Sequence, residues 1–381
     1  METKVKFKSS QSQNSELIVF DPNLYFNSLL ADIDQAENSI VLESYIFQVD
    51  QIGRKVIAAL QSALQRGIKI RILIDGIGSS RDADLIVKQL ESEDCLVRIF
   101  HPLPWDFAAY RRALIAEHSY NRLFYLLGAM NRRNHRKLCL IDNRIAWLGS
   151  FNITAAHFNH VLDNSAGNWH DTGLRLTGDL VLDLKANFEE VWQRKTASVT
   201  KRTTRFLSNH SIQTRIARNQ RLITILKKAK KRIWITNAYF NPSIRLLSAL
   251  KKSAKRGVDV RILVPSHSDV ILFPLLSRTY YADLLNVGIK VFEYRSKLLH
   301  SKTMLIDHQV LVGSTNLNYR SFFHDLELDA LLTSKESVLC LQQKYEQDLK
   351  NSVEITLDHW RNHSWLIKLI GGFSRFFRYW S

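Results

Sequence analysis

At 381 residues, with 45% hydrophobic and 23% charged residues, the chain is long enough for two domains with separate cores and too apolar for a disordered polymer. Its 53 Lys and Arg against 36 Asp and Glu give a formal net charge of +17, which attracts polyanions; composition leaves nucleic acid and an anionic membrane surface equally open. No apolar run reaches the roughly 18 residues of a membrane-spanning helix, and the polar residues 1–10 precede no signal-peptide core. Cys95, Cys139 and Cys340 lie far apart without metal-ligand spacing. They are read as free thiols in a chain that tolerates a reducing compartment.

In chain order, residues 40–47 form the first predicted strand. A helix follows on the apolar positions Val56, Ile57, Leu60 and Leu64, then a strand over 67–75, a helix over 83–90 and a strand ending near Phe100. Residues 104–133 then interleave Trp105, Phe107, Tyr110, Tyr120, Phe124 and Tyr125 with Arg111, Arg112, Arg122, Arg132 and Arg133. That mixture suits a lipid headgroup region and equally suits a helical hairpin packed on the domain. The Thr-rich basic stretch 195–205 marks a junction, after which the pattern starts again about 190 residues on. Residues 233–240 match 40–47, residues 257–265 match 67–75, and a helix over 275–285 leads to a strand ending near Phe292.

Strands alternating with amphipathic helices in two copies predict an α/β fold of two similar domains, each a mixed sheet flanked by helices. The bounds expected are 1–195 for the first repeat, 196–209 for a linker, 210–350 for the second repeat and 351–381 for a C-terminal segment.

A third shared block carries the chemistry. The first copy reads His135-Arg-Lys137 to Asp142, then Gly149-Ser150-Phe-Asn152; the second reads His300-Ser-Lys302 to Asp307, then Gly313-Ser314-Thr-Asn316. Both fit His-x-Lys-x-x-x-x-Asp followed by Gly-Ser-x-Asn. The apolar run 138–141 is a strand, so His135 and Lys137 share a face. An imidazole beside an ammonium makes a phosphate site, in which the lysine holds anionic oxygens and the histidine reaches phosphorus. Asp142 and Asp307 belong to the candidate catalytic motif, although Asp142 has opposite parity and lies at a turn, which points to an orienting or structural role. Ser150, Asn152, Ser314 and Asn316 are candidate phosphate-binding residues, and the glycine permits a close backbone approach.

The doubled motif resembles the phospholipase D superfamily, and the sequences around it are similar to bacterial cardiolipin synthases: Asn134-His-Arg-Lys before Asp142, residues 291–295 (VFEYR) before His300-Ser-Lys, and residues 313–321 (GSTNLNYRS) after it. The likeness runs from about residue 17 to residue 350. It implies two tandem phospholipase D-like domains with the active site at their interface, and ping-pong transfer through a phosphohistidine with no cofactor and no metal. By the same resemblance His135 is the nucleophile and His300 the acid and base, with that order open. It further implies a downstream carboxylate orienting each histidine, for which Asp171 follows His135 and Glu327 follows His300.

The implied reaction joins two phosphatidylglycerols into cardiolipin. A lipid or nucleic-acid hydrolase of the same superfamily and an inactive binding protein are the alternatives, with nucleic acid disfavoured as a partner. From Leu366 the chain carries an apolar stripe at 366, 369, 370, 373, 376, 377 and 380 with Lys368, Arg375 and Arg378 off it. This predicts a helix resting in an anionic membrane interface, with docking on the protein's own core as the competing idea. The expected location is peripheral, on the cytoplasmic face of the cell membrane; oligomeric state is not legible.

Overall fold

A computed structural model describes residues 14–103, 106, 112–113, 131–158, 169–193, 205–270 and 272–358. Most of the aromatic and basic insertion, most of the junction and the striped segment after 358 lie outside the described residues.

The first sheet is built from β1 (Ser15–Val19), β2 (Ser39–Ser44), β3 (Lys69–Asp75), β4 (Cys95–Phe100), β5 (Leu138–Ile141), β6 (Ile145–Gly149) and β8 (Gly173–Thr177). The short β7 (Trp169–His170) stands apart from it. Helices α1 (Pro22–Asp34), α2 (Gln51–Gln65), α3 (Ala83–Leu90) and α4 (Leu180–Trp192) flank it. The second sheet takes β9 (Phe206–Ser208), β10 (Arg232–Asn237), β11 (Asp259–Pro265), β12 (Lys290–Tyr294), β14 (Lys302–Ile306), β15 (Gln309–Gly313), β16 (Leu328–Leu332) and β17 (Ser352–Ile355), while β13 (Leu298–Leu299) pairs with β7. Its helices are α5 (Ile212–Lys228), α6 (Ile244–Lys255), α7 (Leu272–Arg278), α8 (Tyr281–Leu285), α9 (Tyr319–Phe323) and α10 (Lys335–Lys350).

The sheet orders are β1-β8-β6-β5-β2-β3-β4 and β17-β12-β11-β10-β14-β15-β16-β9. Stripped of edges, both follow one six-strand plan: three parallel strands joined by crossover helices, then an antiparallel meander. The mixed α/β fold and the repeat stand as read from the sequence. Three details differ. β9 falls inside the stretch assigned to a linker, and β17 inside the C-terminal segment, where it pairs with β12 as an edge strand. The helix expected over 275–285 is two short ones, because the Thr279 hydroxyl donates to the Leu276 carbonyl and competes with the next helical turn.

Strand periodicity sorts the apolar residues between two faces. On β5, Cys139 and Ile141 pack outward against α1 and α2, whereas Leu138 and Leu140 enter a core shared by both sheets. On β14, Met304 and Ile306 pack toward α5 and α6, and Leu305 enters the shared core. That shared core also takes Phe188 of α4 and Tyr345 of α10. Burial of apolar area from both repeats in one cluster fixes the sheets against each other.

Asp142 and Asp307 close the hairpins after β5 and β14, both in the left-handed region at φ +52°. Asp142 accepts hydrogen bonds from the backbone N–H groups of Glu37, Asn38 and Ser39, at 2.7–2.9 Å. Asp307 accepts from Lys230, Lys231 and Arg232, at 2.8–3.1 Å. Each carboxylate thus pins the loop entering the central parallel strand, a strand's length from its motif's histidine. Their place in the catalytic motif is corrected: both hold the fold.

Burial works against the Asp307 carboxylate, but the three donated N–H groups outweigh it and hold its pKa below the ordinary value. The stability from this shift is present above the unfolded carboxyl pKa and lost as pH falls through the lower folded one. We expect Asp307→Ala to cost about 1 kcal/mol near neutral pH by removing the acceptor of three amides, of which that of Arg232 is partly buried. In thermal melting the gap to wild type should narrow in acid; a gap that stays constant would refute this origin.

Candidate active site

His135 and Lys137 sit at the entrance to β5, and His300 and Lys302 at the entrance to β14, so one strand geometry presents both pairs. All four are at least nine-tenths buried. Each ammonium donates to the carbonyl of its own motif's histidine, Lys137 to His135 at 2.7 Å and Lys302 to His300. Each also lies over a tyrosine ring, Lys137 at 5.2 Å from the Tyr45 centroid and Lys302 at 5.8 Å from that of Tyr239. A negative ring face is a tolerable neighbour for a cation stripped of water.

The orienting carboxylates are the two that the sequence singled out, but their pairing is crossed. Nδ1 of His135 lies 3.1 Å from Oε2 of Glu327 in the second repeat, and Nδ1 of His300 lies 2.7 Å from Oδ1 of Asp171 in the first. The expectation that each histidine pairs with the carboxylate following it in its own repeat is overturned. The backbone explains why. His135 N–H donates to the Leu326 carbonyl at 3.0 Å, one residue before Glu327. His300 N–H donates to the His170 carbonyl at 2.9 Å, one residue before Asp171, alongside the β7–β13 pairing. Each repeat therefore delivers its carboxylate by a short parallel clasp to the other's histidine.

The surroundings of the two carboxylates differ. Glu327 accepts from Ser314 Oγ and Ser321 Oγ, both at 2.5 Å, while its own N–H donates to Asn209 Oδ1 at 2.6 Å. Asp171 has a second imidazole, with His157 Nδ1 2.8 Å from its Oδ2. The serines expected to bind phosphate are committed to the protein. Ser314 holds Glu327, and Ser150 Oγ accepts from Thr172 N–H at 2.9 Å, beside Asp171. That expectation is corrected for both. The motif glycines make these contacts possible: a Cβ on Gly149 would stand 2.3 Å from the Thr172 carbonyl oxygen, and one on Gly313 2.4 Å from that of Leu328. What approaches each glycine is the strand carrying a carboxylate.

Asn152 and Asn316 are buried, and Nδ2 of Asn152 has no hydrogen-bond partner, as expected of a donor kept for an anion. Other residues of the site had no role attached from the sequence: Tyr45 and Tyr239 lie within the matched stretches 40–47 and 233–240, and His157 and Asn209 outside the quoted motifs. Ser321 closes the stretch 313–321 quoted for its resemblance, without a role attached. Beneath His300, Ser301 Oγ lies 2.9 Å from His170 Nδ1, and His170 Nε2 lies 3.0 Å from Asp348 Oδ1. No group of three or more His, Cys, Asp or Glu that could hold a metal occurs among the described residues.

Burial dominates the electrostatics. It drives the His135 imidazole well below its ordinary pKa, reinforced by Lys137 and Lys302. His300 is pushed down to about 4 by burial and Lys302, against the pull of Asp171. Burial lowers Lys137 to about 7, helped by Lys302, and lowers Lys302 to about 8. Glu327 is raised by burial to about 7, although Lys137 and the serine hydroxyls oppose it. Burial would raise Asp171 too, but His300 and His157 outweigh it and hold that carboxyl well below the usual range. A neutral imidazole whose Nδ1–H donates a hydrogen bond to a carboxylate keeps a lone pair on Nε2, the state needed for attack on phosphorus.

Two α/β repeats with crossed histidine–carboxylate pairs and a lysine beside each histidine define a phospholipase D-like protein. The family described as "Cardiolipin synthase, PLD-like domain" matches residues 29–192 and 222–349, and the chain belongs to it. A cardiolipin synthase of Alkalihalophilus pseudofirmus is 31% identical over 374 residues, covering 94% of this chain and 70% of that one. A cardiolipin synthase of Clostridium perfringens is 30% identical over 388 residues, covering 95% and 76%. Among solved structures, phosphatidylserine synthase of Haemophilus influenzae superposes with a TM-score of 0.66 at 13% identity, covering 95% of this chain and 93% of that one. Polyphosphate kinase of Porphyromonas gingivalis gives 0.56 at 12% identity over 88% and 50%. Those two likenesses concern the fold alone.

Because Lys137 and Lys302 are lowered to about 7 and about 8, anion affinity should fall as pH rises through that window. Sulfate, whose charge is constant there, is the probe. We expect calorimetric affinity to drop about tenfold or more between about pH 6 and about pH 9, and Lys137→Arg to move the decline upward. A flat profile would show that these lysines stay charged.

Proposed function

We propose that this chain is a phosphatidyltransferase that forms cardiolipin from two phosphatidylglycerols and releases glycerol, through a phosphohistidine. The observation that carries the reading is the pair of buried imidazoles, each bonded through Nδ1 to a carboxylate of the other repeat, in a chain of this family.

Nε2 of His135 attacks the phosphorus of the first lipid, forming a P–N bond as the P–O bond to the headgroup glycerol breaks. His300, as imidazolium, gives its proton to the departing glycerol oxygen. In the second step the neutral His300 takes the proton from a headgroup hydroxyl of another phosphatidylglycerol. That oxygen bonds to phosphorus, and Nε2 of His135 leaves. Assigning acid and base to His300 rests on Asp171, which His300 and His157 keep ionised and which therefore stabilises an imidazolium. Glu327, raised to about 7, gives His135 weaker support for a proton and leaves it the better nucleophile. Lys137 and Lys302 sit where negative charge builds up on the phosphoryl oxygens, with Asn152 and Asn316 as further donors. A bound phosphodiester returns to the lysines the charge partner that burial denies them, and by the same field it raises the His300 pKa toward the protonated state.

The lipid substrate and the +17 charge support peripheral attachment to an anionic membrane, which we assign to the cytoplasmic face. None of the helices of the described residues is long and apolar enough to cross a membrane.

Labelled phosphatidylglycerol vesicles with the purified chain and a chelator provide the test. We expect cardiolipin and free glycerol, with His135→Ala and His300→Ala each lowering the rate by about a thousandfold or more. An acid-labile label should be trapped on wild type and absent from His135→Ala. Phosphatidic acid as sole product would make the chain a hydrolase, and rescue only by added divalent metal would overturn the metal-free scheme.

A further inference from the structure

The net charge of this chain is not spread over it. Residues 191–258 contain 18 Lys and Arg and no Asp or Glu, while the rest of the chain holds 35 basic and 36 acidic residues. The whole surplus therefore lies in one stretch, whose described part runs from Arg205 through α5, β10 and α6. These two helices pack side by side on the outer face of the second sheet, burying Leu222, Leu226, Leu246 and Leu250. Their other side is exposed, with Lys227, Lys228, Lys230, Lys231, Lys252 and Lys255 open to solvent.

Four of these cations lie in the last turns of α5 and α6, where they suit the helix dipole. The dipole does not explain the rest. Helix N-termini favour carboxylates, yet the first turns of α5 and α6 have none. Isoleucines are exposed there instead: Ile212 is 72% exposed and Ile244 69%, with Ile216, one turn on in α5, 53% exposed. Both helices begin at the histidine end of the sheet. Asn209, two residues before the α5 cap, bonds the backbone of Glu327, and Asn237, at the end of β10, pairs with Lys302. The flank thus carries exposed isoleucines at the level of the site, with Arg245 beside Ile244, and a cluster of lysines at its far end.

We propose that the α5–α6 flank of the second repeat is the surface by which this protein lies on an anionic lipid membrane. Ile212, Ile216 and Ile244 enter the headgroup boundary beside the site, and the lysines meet the lipid phosphates. A nucleic acid would satisfy the lysines but offers nothing to three isoleucines standing in solvent, so the pattern favours lipid. The lipid reading of the reaction enters only in the choice of vesicle. Docking is measured without turnover, so the surface and the chemistry stand or fall separately.

The test uses the full chain and sedimentation with vesicles of phosphatidylglycerol, with phosphatidylcholine vesicles and a short DNA duplex as comparisons. Neutralising Lys227, Lys228, Lys230 and Lys231 together to Gln should weaken phosphatidylglycerol binding by at least about tenfold, since each cation at an anionic surface is worth roughly a fivefold change. Lys252→Gln with Lys255→Gln, on the other helix, should weaken it in the same direction, so a folding fault in one variant does not decide the matter. Ile212→Ser with Ile216→Ser should weaken binding that survives high salt. Unchanged vesicle binding in both lysine variants overturns the proposal, as does loss of DNA binding with vesicle binding intact.

Discussion

Everything at the centre of this molecule depends on two hydrogen bonds that cross between repeats: His135 to Glu327 and His300 to Asp171. An imidazole is held in one tautomer and one orientation only if its partner is fixed within a few tenths of an ångström. Here each partner belongs to the other sheet, so neither repeat contains a finished site. The relative position of the two sheets becomes part of the chemistry. The structure meets this demand at two scales. Over the long range, the cluster containing Leu138, Leu174, Leu305 and Leu328 joins the sheets through one apolar core. At the site, the backbone bonds from His135 to Leu326 and from His300 to His170 set the register directly.

The same arrangement accounts for the burial of so many charges. Two lysines, two histidines and two carboxylates taken from water would be costly if each were left alone. The lysine ammoniums bond to histidine carbonyls and lie against tyrosine faces, Glu327 accepts from two serine hydroxyls, and Asp171 has a second imidazole within ion-pair distance. What remains unmatched is positive. Burial, with Lys302 beside each, lowers Lys137 to about 7 and His300 to about 4, so the site resists further positive charge. An anionic phosphodiester removes that resistance, so the site is tuned for the substrate and not for its own resting stability.

Much of this was legible in the sequence. The duplicated His-x-Lys spacing, together with an apolar strand beginning one residue later, put the reactive groups on a common face. Asp142 broke that parity, and its hydrogen bonds to Glu37, Asn38 and Ser39 show a turn residue, as the parity implied. The crossing was not legible, because separation along the chain cannot reveal which of two equivalent carboxylates a pseudo-twofold arrangement brings near. Ser150 and Ser314 were misread for a related reason: Gly-Ser-x-Asn gives a spacing but not the identity of the strand pressed against the glycine. β9 and β17 have three and four residues, too few for any alternation to stand out, and they exist because long neighbouring strands offer them an edge.

Duplication would by itself give two equivalent histidines, and a two-step transfer needs two different ones. The difference is made outside the repeated motif. His157 stands five residues after Asn152, where the second repeat has Ser321 five residues after Asn316; it brings a second imidazole to Asp171, which His300 and His157 together keep ionised. Glu327 receives only neutral hydroxyls, from Ser314 and Ser321, and burial outweighs them and raises it to about 7. One histidine is thereby backed by a full negative charge and the other by a carboxyl near its titration point. The motif supplies the reactive groups in duplicate, and an imidazole at one position where the other repeat has a hydroxyl divides the labour between them.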